Sequence, residues 1–174
     1  MKQADAPVGV DGRACFDVAA DHIPFIRLRA ARHMKAGVSK TMVHPADEKM
    51  ENGKYPICAY YTMAPSSISV NELLKKQAGK LPHYPVPVYL LARMAVNSEC
   101  QGKGLGKITR IKVLEYMSGI CESMPAWAVI VDCLNSGTSS FYSKYGFKYL
   151  FDYNGKERIF LPMKTVLSLF GSKQ

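Results

Sequence analysis

Apolar residues form short runs of two kinds, and the two kinds alternate along the chain. Runs with the spacing of extended strands cover residues 40–44, 56–63, 88–96, 127–133, 147–151 and 157–163. Runs with helical spacing cover residues 21–35, 69–78, 107–121 and 137–145. Strands interleaved with helices predict an α/β or α+β sheet with helices on both faces. No linker or repeat interrupts the pattern, so we expect one domain over residues 1–174.

Two of the predicted helices have an apolar stripe that should face the core. The stripe of helix 21–35 comprises Ile23, Ile26, Ala30 and Met34. The stripe of helix 107–121 comprises Ile108, Ile111, Leu114 and Ser118. Asp21 is placed to cap the first of these helices, and Gly37 ends it.

A glycine-rich loop joins the strand that ends at Val96 to the next helix. The loop reads Gln101, Gly102, Lys103, Gly104, Leu105, Gly106 and Lys107. Glycines let the backbone approach a ligand closely, and the first N–H groups of a helix have no partner within that helix. A strand, a glycine loop and a helix in this order therefore predict an anion site, and hence a ligand that carries phosphate.

The two commonest phosphate loops do not fit this segment. A Walker A loop needs Ser or Thr after Gly-Lys, and here Ile108 follows Lys107. A dinucleotide fingerprint needs a third glycine at the position that Lys107 occupies. The spacing is instead Gln-x-x-Gly-x-Gly, with Gln101, Gly104 and Gly106 at the fixed positions. A tight strand-to-helix turn without a ligand is the alternative interpretation of such a loop.

A second motif follows about 30 residues later. Asn135 comes directly after the buried strand 127–133, and residues 141–147 read Phe-Tyr-Ser-Lys-Tyr-Gly-Phe. Together the two motifs resemble the acetyl-CoA loop and the last block of the GCN5-related N-acetyltransferases, the GNAT family. The resemblance extends over residues 82–150. It implies a single GNAT-like domain whose mixed, mostly antiparallel sheet is splayed at its middle strands.

Residues 83–96 carry a narrower resemblance. They read His-Tyr-Pro-Val-Pro-Val-Tyr-Leu-Leu-Ala-Arg-Met-Ala-Val, which is similar to a strand of the GNAT toxins of bacterial toxin–antitoxin modules. Those enzymes acetylate the α-amine of aminoacyl-tRNA and stop translation. The resemblance implies a homodimer and a ribbon–helix–helix antitoxin as partners. It departs at Phe16-Asp17-Val18, where the family usually has Phe-Asp-Cys-Gly.

The same resemblance assigns roles to residues of this chain. It implies that backbone N–H groups of Met94, Ala95 and Val96 hold the pantetheine arm and the thioester oxygen. Amides of Gln101, Gly102, Lys103, Gly104, Leu105, Gly106 and Lys107 would hold the pyrophosphate of acetyl-CoA. Asn135 would contact the pantetheine amides, and Tyr142 would protonate the departing thiolate. Packing on a short helix is the alternative role for Tyr142.

No residue stands out as a general base. His83 lies among prolines, where a structural role is the simpler interpretation, and Glu99 at the entry to the loop should be solvated. For Asp132, at a strand end, we expect a structural hydrogen bond. An α-amine has an ordinary pKa near 7.7–8.0, against about 10.4 for lysine, so part of it is neutral at pH 7. The lack of a base therefore favours an α-amine as the acceptor.

Composition narrows the setting. The formal net charge is +9, and basic residues recur at Arg27, Arg29, Arg32, Lys35, Lys40, Lys75, Lys76, Lys80, Lys103, Lys107, Arg110 and Lys112. Such an excess favours an acceptor carried on RNA over a cationic small molecule. Five cysteines without metal-like spacing indicate reduced thiols and no metal. No membrane span or signal peptide is indicated, so we expect a cytoplasmic protein.

Three functions are consistent with these patterns. The favoured one is an acetyl-CoA-dependent toxin that acetylates aminoacyl-tRNA. The second is a housekeeping N-acetyltransferase for a protein N-terminus or a small amine. The third is a non-catalytic module that binds CoA or RNA, and the presence of Tyr142 beside a complete loop argues against it.

Overall fold

The structure is a computed structural model that describes residues 2–3, 10–11, 24–73, 75–79 and 81–170. The chain forms two compact units. The first comprises Met1–Ala64 and Arg93–Val113, and the second comprises Pro65–Ala92 and Leu114–Gln174. The sequence analysis expects residues 1–174 to form one domain. Whether the two units form one domain stays a prediction. Residues 16–18, Asp21 and Ile23 lie outside the described residues.

Strands and helices alternate as the sequence predicts. The strands of the described residues are β1 (Lys2–Gln3), β2 (Val10–Asp11), β3 (Lys40–Pro45), β4 (Tyr55–Ile68), β5 (Val86–Val96), β6 (Ala128–Cys133), β7 (Lys148–Tyr153) and β8 (Lys156–Pro162). The α-helices are α1 (Ala30–Lys35), α2 (Lys75–Ala78), α3 (Leu105–Cys121), α4 (Ser136–Ser143) and α5 (Met163–Phe170). A π-helical turn, Phe25–Arg29, precedes α1, and short 3₁₀ turns occur at Val70–Glu72 and Ser98–Cys100.

The first unit is built on an antiparallel pair of strands. β3 pairs with β4 so that Lys40 lies opposite Met63, and the two-residue strand β1 adds to the other edge of β3. Beneath them the buried side chains form one apolar cluster: Phe25, Ala30, Val43, Ile57, Tyr60 and Ala95. Because Ala95 belongs to this cluster, the end of β5 is held against a packed core.

The helix that opens the first unit differs from the predicted one. The N–H of Ala30 bonds to the carbonyl of Phe25, five residues earlier, which is the spacing of a π-helix. Phe25 and Ala30 are therefore both buried, while Ile26 is only partly buried. Ile26 and Ala30 contact the core as the predicted stripe requires, but the stripe omitted Phe25, because it assumed an uninterrupted period of 3.6 residues.

The second unit contains a mixed sheet. β5 and β6 are parallel, with Tyr89 opposite Val129, and β6 is antiparallel to β8, which is antiparallel to β7. The buried cluster of this unit comprises Ile68, Leu73, Val88, Ala128, Ile130, Leu150 and Phe160. Trp127 stacks on Phe160 with ring centroids 5.3 Å apart. One parallel pair among antiparallel ones confirms the prediction of a mixed, mostly antiparallel α+β sheet.

Three other local predictions need correction. The helix predicted over residues 69–78 breaks at Leu73, whose backbone is extended after a single turn closed by Ser69 and Glu72. The strand predicted over residues 56–63 continues to Ile68 as β4. In α3 the buried face is formed by Thr109, Arg110, Val113, Leu114, Met117 and Ser118, whereas Ile108 is 45% exposed.

Candidate functional site

The turn that follows β5 is fixed by one buried side chain. Asn97 is 2% exposed, and its Oδ1 accepts hydrogen bonds from the Glu99 N–H at 3.1 Å and from the Ser98 hydroxyl at 3.4 Å. Its own N–H donates to the carbonyl of Cys58 at 2.8 Å, which ties the turn to β4. Because Asn97 is hydrogen-bonded both to β4 and to residues of the turn, the start of the glycine loop has a defined position.

The loop itself closes back on the strand. The Gln101 side-chain amide donates to the carbonyl of Val96 at 3.2 Å. Gly102 and Gly104 have φ values of +74° and +76°, a conformation that side chains with a Cβ disfavour. A Cβ at either glycine would meet no protein atom within 4 Å. The glycines are therefore required by backbone conformation, and the space beside them is open to a ligand.

The helix start points its polar groups into the same space. α3 begins at Leu105, and its first bond to the loop runs from the Ile108 N–H to the Gly104 carbonyl at 3.2 Å. The N–H groups before Ile108 have no acceptor within the helix, and the helix dipole adds positive potential there. Lys103 and Lys107 are exposed on this loop. The arrangement suits a diphosphate.

The strand segment before the turn alternates between core and surface. Ala95 is buried in the core of the first unit, whereas Met94 and Val96 are partly exposed. Arg93 lies over the ring of Phe25, 4.5 Å from its centroid. Burial raises the pKa of the Tyr60 hydroxyl, and the charge of Arg93 partly opposes this shift. The first unit thus brings together the predicted residues at 94–96 and 101–107.

The other two predicted residues, Asn135 and Tyr142, lie in the second unit. Asn135 caps α4: its Oδ1 accepts from the Thr138 N–H at 2.9 Å and from the Thr138 hydroxyl at 3.1 Å. Its side-chain oxygen is therefore engaged by the protein. Only its Nδ2 hydrogens remain to serve the predicted contact with pantetheine amides, and they would bind carbonyl oxygens.

Tyr142 lies on the buried side of α4. Its side chain is 4% exposed, and its ring meets those of Phe141 and Phe147 edge-on, with both centroids 5.1 Å away. Its carbonyl accepts the N–H of Tyr145 at 2.9 Å, which closes the helix. The ring is thus fixed by packing from two sides. Such fixing serves a positioned acid and a packing residue equally well.

Three residues were weighed as acids or bases, and one of them, Asp132, has a structural role. Asp132 receives a bidentate pair of hydrogen bonds from Arg158, at 2.6 Å from Nε and 2.8 Å from Nη2. Arg158 is buried and also stacks on the Tyr153 ring at 3.7 Å. The prediction of a structural role for Asp132 is confirmed. Glu99 and His83 are exposed.

Within the part of the chain that the structure describes, no group of three or more His, Cys, Asp or Glu side chains is arranged to hold a metal ion. Among those same residues, no helix is long and apolar enough to cross a membrane.

Comparison with known proteins supports the resemblance seen in the sequence. No family model matches the chain. A curated protein of Mycobacterium tuberculosis (strain ATCC 25618 / H37Rv), described as a tRNA-acetylating toxin, is 26% identical over 124 residues, which are 71% of this chain and 70% of that protein. The structure of AtaT complexed with acetyl-methionyl-tRNAfMet superposes with a TM-score of 0.82 and 20% identity, covering 97% of each chain.

A second solved structure contains two other molecules. It is a tyrosine-to-phenylalanine mutant of the AtaT toxin bound to the C-terminus of the antitoxin AtaR and to acetyl-CoA. It superposes with a TM-score of 0.75 and 16% identity, covering 98% of this chain and 97% of that one. The chain shares its fold with the AtaT toxin. The resemblance to the GNAT toxins is therefore confirmed, on the sequence of one relative and on the fold.

Some residues that shape this fold were missed by sequence reasoning. Asn97 could have been predicted as a cap, because the side chain of an Asn that follows a strand often accepts a hydrogen bond from the backbone N–H two residues later. Arg158 and Arg93 gave none, because their partners Asp132 and Phe25 are distant along the chain. Arg110 was counted among the basic residues, but its side chain is buried and adds nothing to an exposed basic surface.

Proposed function

We propose that this chain is an acetyl-CoA-dependent N-acetyltransferase toxin that acetylates the α-amino group of aminoacyl-tRNA and so blocks translation. The observation that carries the proposal is the loop after β5, where two glycines with positive φ leave open space at a helix start. The relative described as a tRNA-acetylating toxin and the AtaT structure with acetylated tRNA support the choice of acceptor.

Donor binding is assigned to the first unit. Amides of Gln101, Gly102, Lys103, Gly104, Leu105, Gly106 and Lys107 bind the pyrophosphate, helped by the charges of the two lysines. Backbone N–H groups of Met94, Ala95 and Val96 bind the pantetheine arm and polarise the thioester oxygen. Asn135 of the second unit donates its Nδ2 hydrogens to a pantetheine carbonyl. Acetyl-CoA is present in one structure with the same fold, which supports this choice of donor.

The transfer needs few protein groups. The neutral α-amine attacks the thioester carbon, the tetrahedral intermediate loses its C–S bond, and the departing sulfur takes a proton. We assign that proton to the Tyr142 hydroxyl. The proton lost by the attacking amine goes to solvent, and the low pKa of an α-amine makes a strong base unnecessary. The ring contacts of Tyr142 with Phe141 and Phe147 limit its rotation, as general acid catalysis requires.

Acceptor binding is assigned to exposed basic residues. In the first unit Arg27, Arg29, Arg32 and Lys35 are exposed on the segment that begins with the π-helical turn. Phosphate contacts of this kind release counterions, so binding to tRNA should weaken steeply with salt. Four such contacts would give a slope of log K against log salt of about −3.

The partners and the location follow from the same proposal. A homodimer and an antitoxin of the ribbon–helix–helix type are proposed, and the structure of AtaT with the AtaR C-terminus supports the general kind of partner. Light scattering that gives a monomer at micromolar concentration would count against the dimer. The cytoplasm is proposed as the location because aminoacyl-tRNA is made and used there.

The direct test is transfer of labelled acetyl groups to charged tRNA. Label is expected on the aminoacyl moiety, with a rate that falls as salt rises from 50 to 200 mM, as expected for phosphate contacts. Uncharged tRNA is the matched control and should stay unlabelled. Label on protein N-termini or small amines but not on charged tRNA would overturn the proposed acceptor in favour of a housekeeping N-acetyltransferase. Binding of acetyl-CoA with no transfer would overturn the enzymatic role.

Growth of bacteria offers a second readout. Expression of the wild-type chain is expected to arrest growth, whereas Tyr142→Phe should be tolerated because it removes only the acid. Harmless expression of both at equal protein levels would contradict the toxin.

A further inference from the structure

Two cysteines of the first unit lie together directly before the glycine loop. Cys58 is in β4, and Cys100 is the last residue of the turn Ser98–Cys100. The backbone brings them close, since the Asn97 N–H donates to the Cys58 carbonyl at 2.8 Å and the Cys100 N–H donates to the Asn97 carbonyl at 2.9 Å. The two thiols are close enough to interact with each other, and both residues are partly exposed.

The two thiols have unequal surroundings. Burial, the hydrogen bond to Cys100 and the charges of Cys100 and Asp47 raise the pKa of the Cys58 thiol to about 12, and Lys103 opposes them only weakly. Cys58 therefore keeps its proton at neutral pH. Since the thiolate is the form that reacts with oxidants, Cys58 is a poor site for the first oxidation, which is therefore assigned to its neighbour Cys100.

We propose that Cys58 and Cys100 form a reversible disulfide when hydrogen peroxide reaches the protein, and that this bond weakens donor binding at the adjacent glycine loop. The first half stands on the placement of the two thiols alone. The second half rests on the proposed function of the loop as the acetyl-CoA site.

The chemistry needs peroxide and no other reactant. The Cys100 sulfur attacks one peroxide oxygen, the O–O bond breaks, and the products are a sulfenic acid at Cys100 and one water. The Cys58 sulfur then attacks the Cys100 sulfur and displaces hydroxide, which takes the Cys58 proton and leaves as a second water. Peroxide has gained two electrons, and each cysteine sulfur has lost one.

The bond changes the position of the loop. A disulfide holds its two sulfur atoms about 2.05 Å apart, closer than two unbonded thiols, so we expect the bond to draw the turn towards β4. Gln101 follows Cys100 directly, and its side chain links the loop to the Val96 carbonyl. A displacement of about 1 Å misaligns the amides that hold the pyrophosphate, and we expect a roughly tenfold loss of acetyl-CoA affinity. By linkage, bound acetyl-CoA should disfavour the disulfide by the same factor.

The first experiment tests the bond without reference to function. The full chain is treated with hydrogen peroxide, alkylated, digested without reduction and analysed by mass spectrometry. A Cys58–Cys100 cross-link that dithiothreitol removes is expected. In Cys58→Ser, dimedone should trap a sulfenic acid at Cys100, whereas in Cys100→Ser residue 58 should stay reduced. Cross-links of Cys58 or Cys100 to another cysteine, or none at all, would overturn the proposal.

The second experiment measures acetyl-CoA binding by calorimetry before and after peroxide. Oxidised wild type should bind acetyl-CoA about tenfold more weakly and recover its affinity on reduction. The affinity of Cys100→Ser should not change with peroxide. The control Cys121→Ser should lose as much affinity as wild type. A disulfide with unchanged affinity would overturn the regulatory half. Reduced protein that binds no acetyl-CoA would overturn the proposed function instead and leave the cross-link result standing.

Discussion

The two strand-to-helix junctions of this chain meet the same physical demand in different ways. Each helix start leaves backbone N–H groups without acceptors. After β6, Asn135 satisfies the start of α4 with its own side chain, so that junction is closed. After β5, the capping residue Asn97 serves the 3₁₀ turn Ser98–Cys100 and not the start of α3. The loop before α3 contains two glycines with positive φ and is left open. A capped helix start is satisfied by the protein itself, whereas an open one leaves its N–H groups to water or to a ligand.

The largest effect should come from closing the open junction. Gly104→Glu places a carboxylate in the space beside the loop, and we expect it to lower acetyl-CoA affinity by more than 100-fold through repulsion of the pyrophosphate. Calorimetry measures this. Gly104→Asn is the control, because Asn tolerates positive φ and adds no charge, so its loss should be smaller. Unchanged affinity in the Glu variant would refute the donor site.

The second effect concerns the helix after the closed junction. Tyr142→Phe keeps the ring and its contacts with Phe147 but removes the hydroxyl. Turnover should fall roughly 10²-fold or more, while acetyl-CoA affinity stays near that of the wild type. Tyr149→Phe, on an exposed ring of the same unit, is the control and should be silent. If the Tyr142 variant turned over like wild type, that residue would have only a packing role.

A third effect lies at Cys133, where β6 meets the closed junction. Burial, with the charges of Glu157 and Asp132, raises the pKa of the Cys133 thiol to about 11. In the unfolded chain this thiol releases its proton above about pH 9, and the folded chain holds it until about pH 11. The stabilising contribution is thus complete below pH 9 and is lost as pH rises to 11.

The size of this effect follows from linkage. At pH 10 the free energy of unfolding should be lower than at pH 7 by about 1 kcal/mol from this group. Urea unfolding of wild type and Cys133→Ala across pH 7–11 isolates it, because all other alkaline titrations are shared. Parallel pH profiles for the two proteins would contradict the assigned pKa.

The smallest effect separates the two roles of Asn135. Asn135→Asp keeps an oxygen for the Thr138 N–H but removes the amide donors, whereas Asn135→Ala removes both. The Ala variant should lose about 1 kcal/mol of stability as a lost cap, and the Asp variant should not. Both should bind acetyl-CoA more weakly if the Nδ2 hydrogens contact pantetheine. Equal affinity for all three proteins would make Asn135 a cap only, and the contrast between the junctions would be complete.

Sequence reasoning was most successful where a local pattern determines a local structure. The strand, glycine loop and helix around Gly104 were predicted within two residues, because glycines and apolar periodicity are short-range signals. The buried face of α3 was mispredicted at Ile108 and Arg110. Tertiary packing decides which of these side chains is buried, and helical periodicity alone does not report that packing. Arg110 is buried although charged, and no spacing along the chain predicts that.

The predicted site residues divide in the same way. Met94 and Gly104 were predicted through motifs, and the first unit brings their segments together, while their binding role stays a prediction. The role of Tyr142 stays a prediction, because ring packing fixes a side chain whether or not it donates a proton. Asn97 was missed because one of its hydrogen-bond partners, Cys58, lies 39 residues earlier in the chain. Contacts between distant segments are the part that a single sequence does not report.

The π-helical turn before α1 has a consequence for how this segment tolerates change. It acts as one residue inserted into a helix, and each helical residue rotates the chain by about 100°. Phe25 and Ala30 can both face the core only while four residues separate them. Of those four, Leu28 is weakly constrained by packing, since its side chain is 75% exposed. Substitutions should therefore accumulate at Leu28 during evolution. A single-residue deletion in this turn should be purged, because it would rotate the helix that follows away from the core.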